Sequence, residues 1–139
     1  MMVNDRMPEY CVSRAADILN LRFQKSLSGS KVLVLGVAYK NDIDDYRESP
    51  AIRVIEHLKR EGADVVFFDP YIPKFREHGK TYVGEPKLTA ELIGNVDLVV
   101  ITSAHTTVDY DFIQRHARAI FDTKNATKNV KDKSNIEVL

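Results

Sequence analysis

The chain has 139 residues, enough for one domain that buries about two-thirds of its unfolded surface on folding. Twenty basic and twenty acidic residues cancel, so overall charge gives no reason to bind nucleic acid or an anionic membrane, and any phosphate site must come from local placement of cations. The single cysteine, Cys11, rules out an internal disulfide and suits a reducing compartment; without a signal peptide or a bilayer-spanning apolar run, the chain is expected to be cytoplasmic.

Residues 8–24 predict a helix. Pro8 fits its first turn, and Tyr10, Val12, Ala15, Ile18, Leu19 and Leu21 approximate an apolar stripe at helical spacing. Cys11 has no base beside it in sequence, which favours a packed thiol over a nucleophile. Ser26-Leu-Ser-Gly-Ser30 reads as a linker. Residues 31–37 then form a strand so apolar that both its faces need cover, which marks a central parallel strand. It breaks at Gly36 and gives way to a loop holding Lys40, Arg47 and a group of acids. A helix runs from Pro50 to Glu61 with Ile52, Ile55 and Leu58 inward, and Gly62 ends it.

Residues 64–68 read as a second strand, stopped by Asp69-Pro70. Pro86 and Lys87 precede a helix through about Ile93. A third strand spans 97–102, a helix 110–117, and a short strand 119–122. The polar tail from Asn125 is expected to be weakly ordered. Strands alternating with helices predict an α/β fold, a Rossmann-like three-layer arrangement of a parallel sheet with an N-terminal helix. The expected organisation is a helical segment over 1–25, the α/β domain over 26–125 and the tail over 126–139.

In such folds ligands bind outside the carboxyl ends of the strands. Lys40 and Arg47, after the first strand, therefore stand where a phosphorylated ligand would lie. Gly36 is followed by Val37 and Ala38, so the G-x-G-x-x-G fingerprint of a dinucleotide site is absent. Asp69 mimics the ribose-binding acid of that fold, but a turn or capping role before Pro70 fits it equally. His105, after the third strand, is a cleft candidate or a structural histidine; His57, His78 and His116 lack metal-ligand spacing. Asp44, Asp45 and Glu48 fit loop shaping better than acid–base work or a metal.

The motif Gly36-x-x-Tyr39-Lys40-x-Asp42-x-Asp44-Asp45-x-Arg47-Glu48-Ser49-Pro50-Ala51 resembles the signature of the C-terminal, UDP-binding domain of the UDP-glucose/GDP-mannose dehydrogenase family. The resemblance continues through Phe68-Asp69-Pro70-Tyr71 and Phe121-Asp122-Thr123-Lys124-Asn125. It implies part of an enzyme that oxidises the 6-hydroxyl of a nucleotide sugar to a carboxylate in two NAD-dependent steps. It further implies that Tyr39 and Lys40 contact the substrate, and that Arg47 reaches across the domain cleft to NAD. Lys124 stands where the family usually has a substrate-contacting arginine; lysine keeps the charge but loses the bidentate fork. The stretches Asp44–Ala51 and Val108–Asp111 look closer to the UDP-N-acetylglucosamine/UDP-N-acetylmannosamine 6-dehydrogenase branch.

The family's N-terminal domain carries the glycine-rich NAD loop and the catalytic cysteine, and neither motif is in this chain. The resemblance thus implies a C-terminal piece with no catalytic residue of its own. NAD would be held mainly by the N-terminal half, and residues 8–24, like the family's central helix, would support a homodimer. Two alternatives remain open: a stand-alone nucleotide-binding or regulatory module, and a flavodoxin-like receiver domain, which lacks its acid cluster and later strand-end lysine here.

Overall fold

The computed structural model describes residues 2–38, 42, 45–47 and 49–139, with side chains from Met7 onward. Its elements run α1 (Met2–Phe23), β1 (Lys31–Leu35), α2 (Pro50–Arg60), β2 (Asp64–Phe68), β3 (Lys74–Glu77), β4 (Lys80–Val83), α3 (Ala90–Asn95), β5 (Leu98–Ile101), α4 (Tyr110–His116), β6 (Ile120–Asp122) and β7 (Ile136–Val138). Five strands pair in parallel in the order β2-β1-β5-β6-β7, and β3 and β4 form a separate antiparallel pair. This is the expected α/β, Rossmann-like arrangement.

Side-chain alternation along β1 shows why the strand is apolar throughout. Val32 and Val34 face a cluster with Cys11, Ala15 and Leu19 of α1 and Ile52, Ile55 and Leu58 of α2. Leu33 and Leu35 face the opposite cluster, with Ile93 of α3 and Ile113 of α4. Four consecutive strand residues are thus removed from water by two layers of helices. At about 1.5–3 kcal/mol for each large apolar side chain buried, these two interfaces supply the main driving force. Ser49 caps α2, its Oγ accepting from the Ala51 amide, and Pro50 opens the helix where no intrahelical amide bond is needed.

Four features differ from the sequence expectations. Helix α1 starts at Met2, so the buried Pro8 lies inside it rather than in its first turn. Its apolar stripe is also narrower. Cys11, Val12, Ala15, Ile18 and Leu19 are buried, whereas Tyr10 and Leu21 lie on the solvent face, Leu21 at 80 % exposure. Eleven residues at about 100° each bring Tyr10 and Leu21 onto one side, roughly 60–80° around the helix from Ile18.

The β3–β4 hairpin was not expected. Its turn residues His78 and Gly79 both have positive φ (53° and 74°), the geometry that closes a two-residue hairpin. Histidine there replaces the usual asparagine or aspartate, which hides the turn signal. Phe75 anchors the hairpin to the core, with ring centroids 5.1 Å from Phe67 and 4.8 Å from Tyr82.

The tail is ordered, against expectation. β7 pairs with β6, Ile136 opposite Ile120, and Val130 and Thr127 are buried. Arg22 of α1 holds Glu137 through Nη2 at 2.8 Å and Nε at 3.2 Å. The Asn135 amide donates to the carbonyls of Gln114 and Ala117. β7 is as short as β6 but lacks its buried apolar run, since only Ile136 of its three residues is buried, so neither a period nor an apolar run marks it. Among the described residues, no helix is long and apolar enough to cross a membrane.

Candidate functional site

Strand order reverses between β1 and β5, so the crevice of this sheet opens at their carboxyl ends. The two strands approach closely there. Gly36 has φ +91°, and a Cβ placed on it would lie 2.6 Å from Ser103 Cβ and 2.8 Å from the Ser103 amide nitrogen and carbonyl oxygen. Hydroxyls stitch the segments: Thr102 Oγ1 donates to the Gly36 carbonyl, and Ser103 Oγ donates to the Ala38 carbonyl at 2.8 Å.

Asp69, just past β2, is the hub of this edge. Oδ1 accepts from the Tyr71 and Ile72 amides at 2.8 and 3.2 Å. Oδ2 accepts from the Val37 and Ala38 amides at 2.8 and 3.1 Å, and from His105 Nε2 at 2.9 Å. Five donors occupy a buried carboxylate, so the ribose-binding role open to Asp69 from the sequence is not available. The capping role is the one observed. Burial pushes its carboxyl up, but the bonds from His105 and from the Tyr71 and Val37 amides outweigh that and hold it below the usual carboxylate range.

His105 is only 1 % exposed. Its Nδ1 accepts from the Asp42 amide at 2.6 Å, which leaves the ring proton on Nε2, facing Asp69. Tyr71 packs its ring edge-on at 4.9 Å between centroids. Asp42 in turn accepts at Oδ1 from the Thr106 amide at 2.7 Å and from the Thr106 hydroxyl at 3.1 Å. Tyr110 donates its hydroxyl to the His105 carbonyl at 3.1 Å. Burial, and then the nearby acids Asp122, Asp42 and Asp69, push that phenol well above its ordinary range, which keeps it a donor.

Arg47 grips Asp45 with both Nε and Nη2, at 3.0 and 3.1 Å, and its side chain is 81 % exposed. The guanidinium holds the Asp45 carboxyl below its ordinary range. This is the loop-organising contact the sequence suggested, and it leaves the arginine on the surface.

After β6, buried Asp122 folds the next loop. It accepts from the amides of Lys124, Ala126 and Thr127 and from the Thr127 hydroxyl, so the exposed Lys124 leaves from a fixed turn. Cys11 is a packed thiol. Burial pushes it up, and the opposing charges of Lys124 and Arg14 do not offset this. Tyr39, Lys40, Asp44 and Glu48 lie outside the described residues. Among the described residues, no group of three or more His, Cys, Asp or Glu side chains is placed to hold a metal.

Sequence reasoning missed the links among Asp69, His105 and Asp42, and the turn built on Asp122. The partners among Asp69, His105 and Asp42 are separated by as many as 63 positions, and no local pattern encodes such a pairing, whereas the Asp122 turn is local, with partners two to five residues on. The one usable signal was that Asp69, His105 and Asp122 each follow or end an apolar strand.

The amides of Val37 and Ala38 are taken by Asp69, so these two are not free to meet a pyrophosphate as the amides of a glycine-rich turn are.

Known proteins share this sequence pattern and fold. Residues 33–129 match the model of the UDP-glucose/GDP-mannose dehydrogenase family, UDP binding domain. UDP-glucose 6-dehydrogenase AglM of Haloferax volcanii is 32 % identical over 123 residues, which are 86 % of this chain and 27 % of that protein. UDP-N-acetyl-D-mannosamine dehydrogenase of Methanocaldococcus jannaschii is 30 % identical over 94 % of this chain and 26 % of its own length. The UDP-N-acetyl-mannosamine dehydrogenase Cap5O of Staphylococcus aureus superposes with a TM-score of 0.70 at 31 % identity, covering 99 % of this chain and 31 % of that one. The chain therefore spans about a quarter of the length of the curated relatives it matches. With its sheet order, its strand-end motif and this match over most of its length, the chain belongs to the UDP-glucose/GDP-mannose dehydrogenase family and corresponds to its UDP-binding domain.

Proposed function

We propose that this chain is the nucleotide-sugar-binding part of an NAD-dependent UDP-sugar 6-dehydrogenase of the cytoplasm, an enzyme that oxidises the sugar C6 hydroxyl to a carboxylate. The observation that carries the reading is the placement of the Gly36–Ala51 motif directly after β1, at the point where strand order reverses. Tyr39, Lys40 and Lys124 are its substrate-binding residues. No residue of the chain is catalytic, and NAD is held mainly by an N-terminal domain, with Arg47 reaching toward it. The saturated amides of Val37 and Ala38 support placing the dinucleotide elsewhere. Relatives named for UDP-N-acetyl-D-mannosamine support a UDP-N-acetylhexosamine as the sugar.

Calorimetric titration with UDP, UDP-N-acetylglucosamine and NAD tests the reading. Weak binding of the two uridine ligands and little heat from NAD are expected. Tight NAD binding without a response to UDP overturns it. Detection of NADH after co-expression with an N-terminal half favours the dehydrogenase over a stand-alone module.

In the assembled enzyme, Lys40→Ala should weaken substrate handling by about 1.5–3 kcal/mol, the worth of a hydrogen bond to a charged group. Unchanged substrate kinetics would remove Lys40 from the site. Arg47→Ala should raise the apparent NAD constant more than the UDP-sugar constant. A change in the sugar constant alone assigns Arg47 to the other ligand. Tyr10 and Leu21, exposed on one face of α1, support a homodimer through that helix. Sedimentation should show a dimer, and a monomer at high concentration contradicts it.

A further inference from the structure

We infer that Asp69 and His105 are positioning residues of the nucleotide-sugar site, acting by fixing the backbone on either side of Tyr39 and Lys40. The inference rests on the site reading above. On one side, Asp69 Oδ2 binds the amides of Val37 and Ala38. On the other, His105 Nδ1 binds the amide of Asp42, and Thr106 binds the Asp42 carboxylate. The two holds are one unit, because His105 Nε2 donates to the same Asp69 oxygen. Lys40 is two positions from Ala38 and two from Asp42.

A cap for the turn after β2 needs neither the imidazole nor Asp42. The Tyr71 and Ile72 amides already satisfy Oδ1. What the ring adds is a third loop, that of Asp42, tied to the ends of β1 and β2. It adds this at a cost, since a buried imidazole must find partners for both nitrogens. The two found are Asp69, which also carries the β1 end, and the first described amide beyond Lys40. Setting these two points before the ligand arrives reduces the ordering that binding must otherwise supply.

The test is UDP titration of this chain by calorimetry, with thermal melting of each variant. His105→Leu removes both bonds and should weaken UDP binding about tenfold in the folded chain. His105→Gln, which restores a donor for Asp69 and a carbonyl acceptor, should recover part of that loss. Ile93→Ala, at a buried α3 position outside the hydrogen-bond network of Asp69, His105 and Asp42, is the control for lost stability and should leave UDP affinity unchanged. Wild-type affinity in His105→Leu overturns the inference, as does an equal loss in Ile93→Ala or a His105→Gln that binds no better than His105→Leu. Should His105→Leu not fold, Thr106→Val takes its place. It removes one exposed contact to Asp42 and should weaken binding about threefold, and unchanged affinity overturns the inference. Lys40→Ala separates the two claims. If it binds UDP as the parent chain does, the site reading itself fails, whatever His105 does.

Discussion

Asp69→Ala should cost about 3 kcal/mol or more of folding stability, because a hydrogen bond to a charged group is worth about 1.5–3 kcal/mol and buried donors left unpaired cost more. Five donors lose their acceptor at once: four amides from two loops and the imidazole of His105. Their contributions do not add in full, since they share one carboxylate. The pH dependence follows from the direction of the shift. A carboxyl held below its ordinary range stabilises the fold fully above its unfolded pKa of about 3.9, and that stability is lost as pH falls through the folded value. Urea denaturation at neutral pH and again between pH 5 and 2 checks both parts. The variant should be less stable at neutral pH and should lose less on acidification than the parent chain. An Asp69→Ala chain with parental stability would show that the five contacts are not made in solution.

The elements that could be read from sequence are those whose burial is regular. β1 is apolar at every buried position because helices cover both its faces, and α2 repeats Ala51, Ile52, Ile55 and Leu58 along one side. The hairpin and β7 were not readable. β3, β4 and β7 are short and mostly polar or exposed, unlike the equally short but fully buried, largely apolar β5 and β6, and the hairpin turn uses histidine where φ is positive. In α1, side chains at many angles met a loose helical template, and only packing decided that Ile18 goes in while Tyr10 and Leu21 stay out. For the site, spacing along the chain marked the strand ends that hold Arg47, Asp69, His105 and Lys124. It could not show that Asp69 and His105 meet, because the pairing depends on β2 and β5 flanking β1. Sequence thus pointed to the carboxyl edge of the sheet as the place for a site, and tertiary pairing determined which polar groups there are spoken for.

Gly36→Ala should destabilise the chain by about 2–5 kcal/mol, from two sources that can be separated. Holding an L-residue in a left-handed backbone conformation costs about 1–2 kcal/mol, and forcing a methyl group into filled space costs about 1–3 kcal/mol. At Gly36 both apply: φ is +91°, and the added Cβ meets Ser103 Cβ at 2.6 Å and two Ser103 backbone atoms at 2.8 Å. The backbone atoms cannot move without displacing the strand ends, where the Thr102 amide bonds the Leu35 carbonyl at 2.9 Å. Gly29 supplies the comparison. Its φ of +83° is similar, but an added Cβ has no atom within 4 Å. Gly29→Ala should therefore cost only the conformational part, about 1–2 kcal/mol. The excess at Gly36 measures how closely β1 and β5 approach at the mouth of the crevice. Ser103→Gly in the Gly36→Ala background should recover part of that excess by removing one of the three clashing atoms, and a double-mutant cycle by chemical denaturation would show the coupling. Equal costs at Gly36 and Gly29, with no coupling to Ser103, would mean that the two strand ends stand apart and that the crevice begins deeper in the sheet.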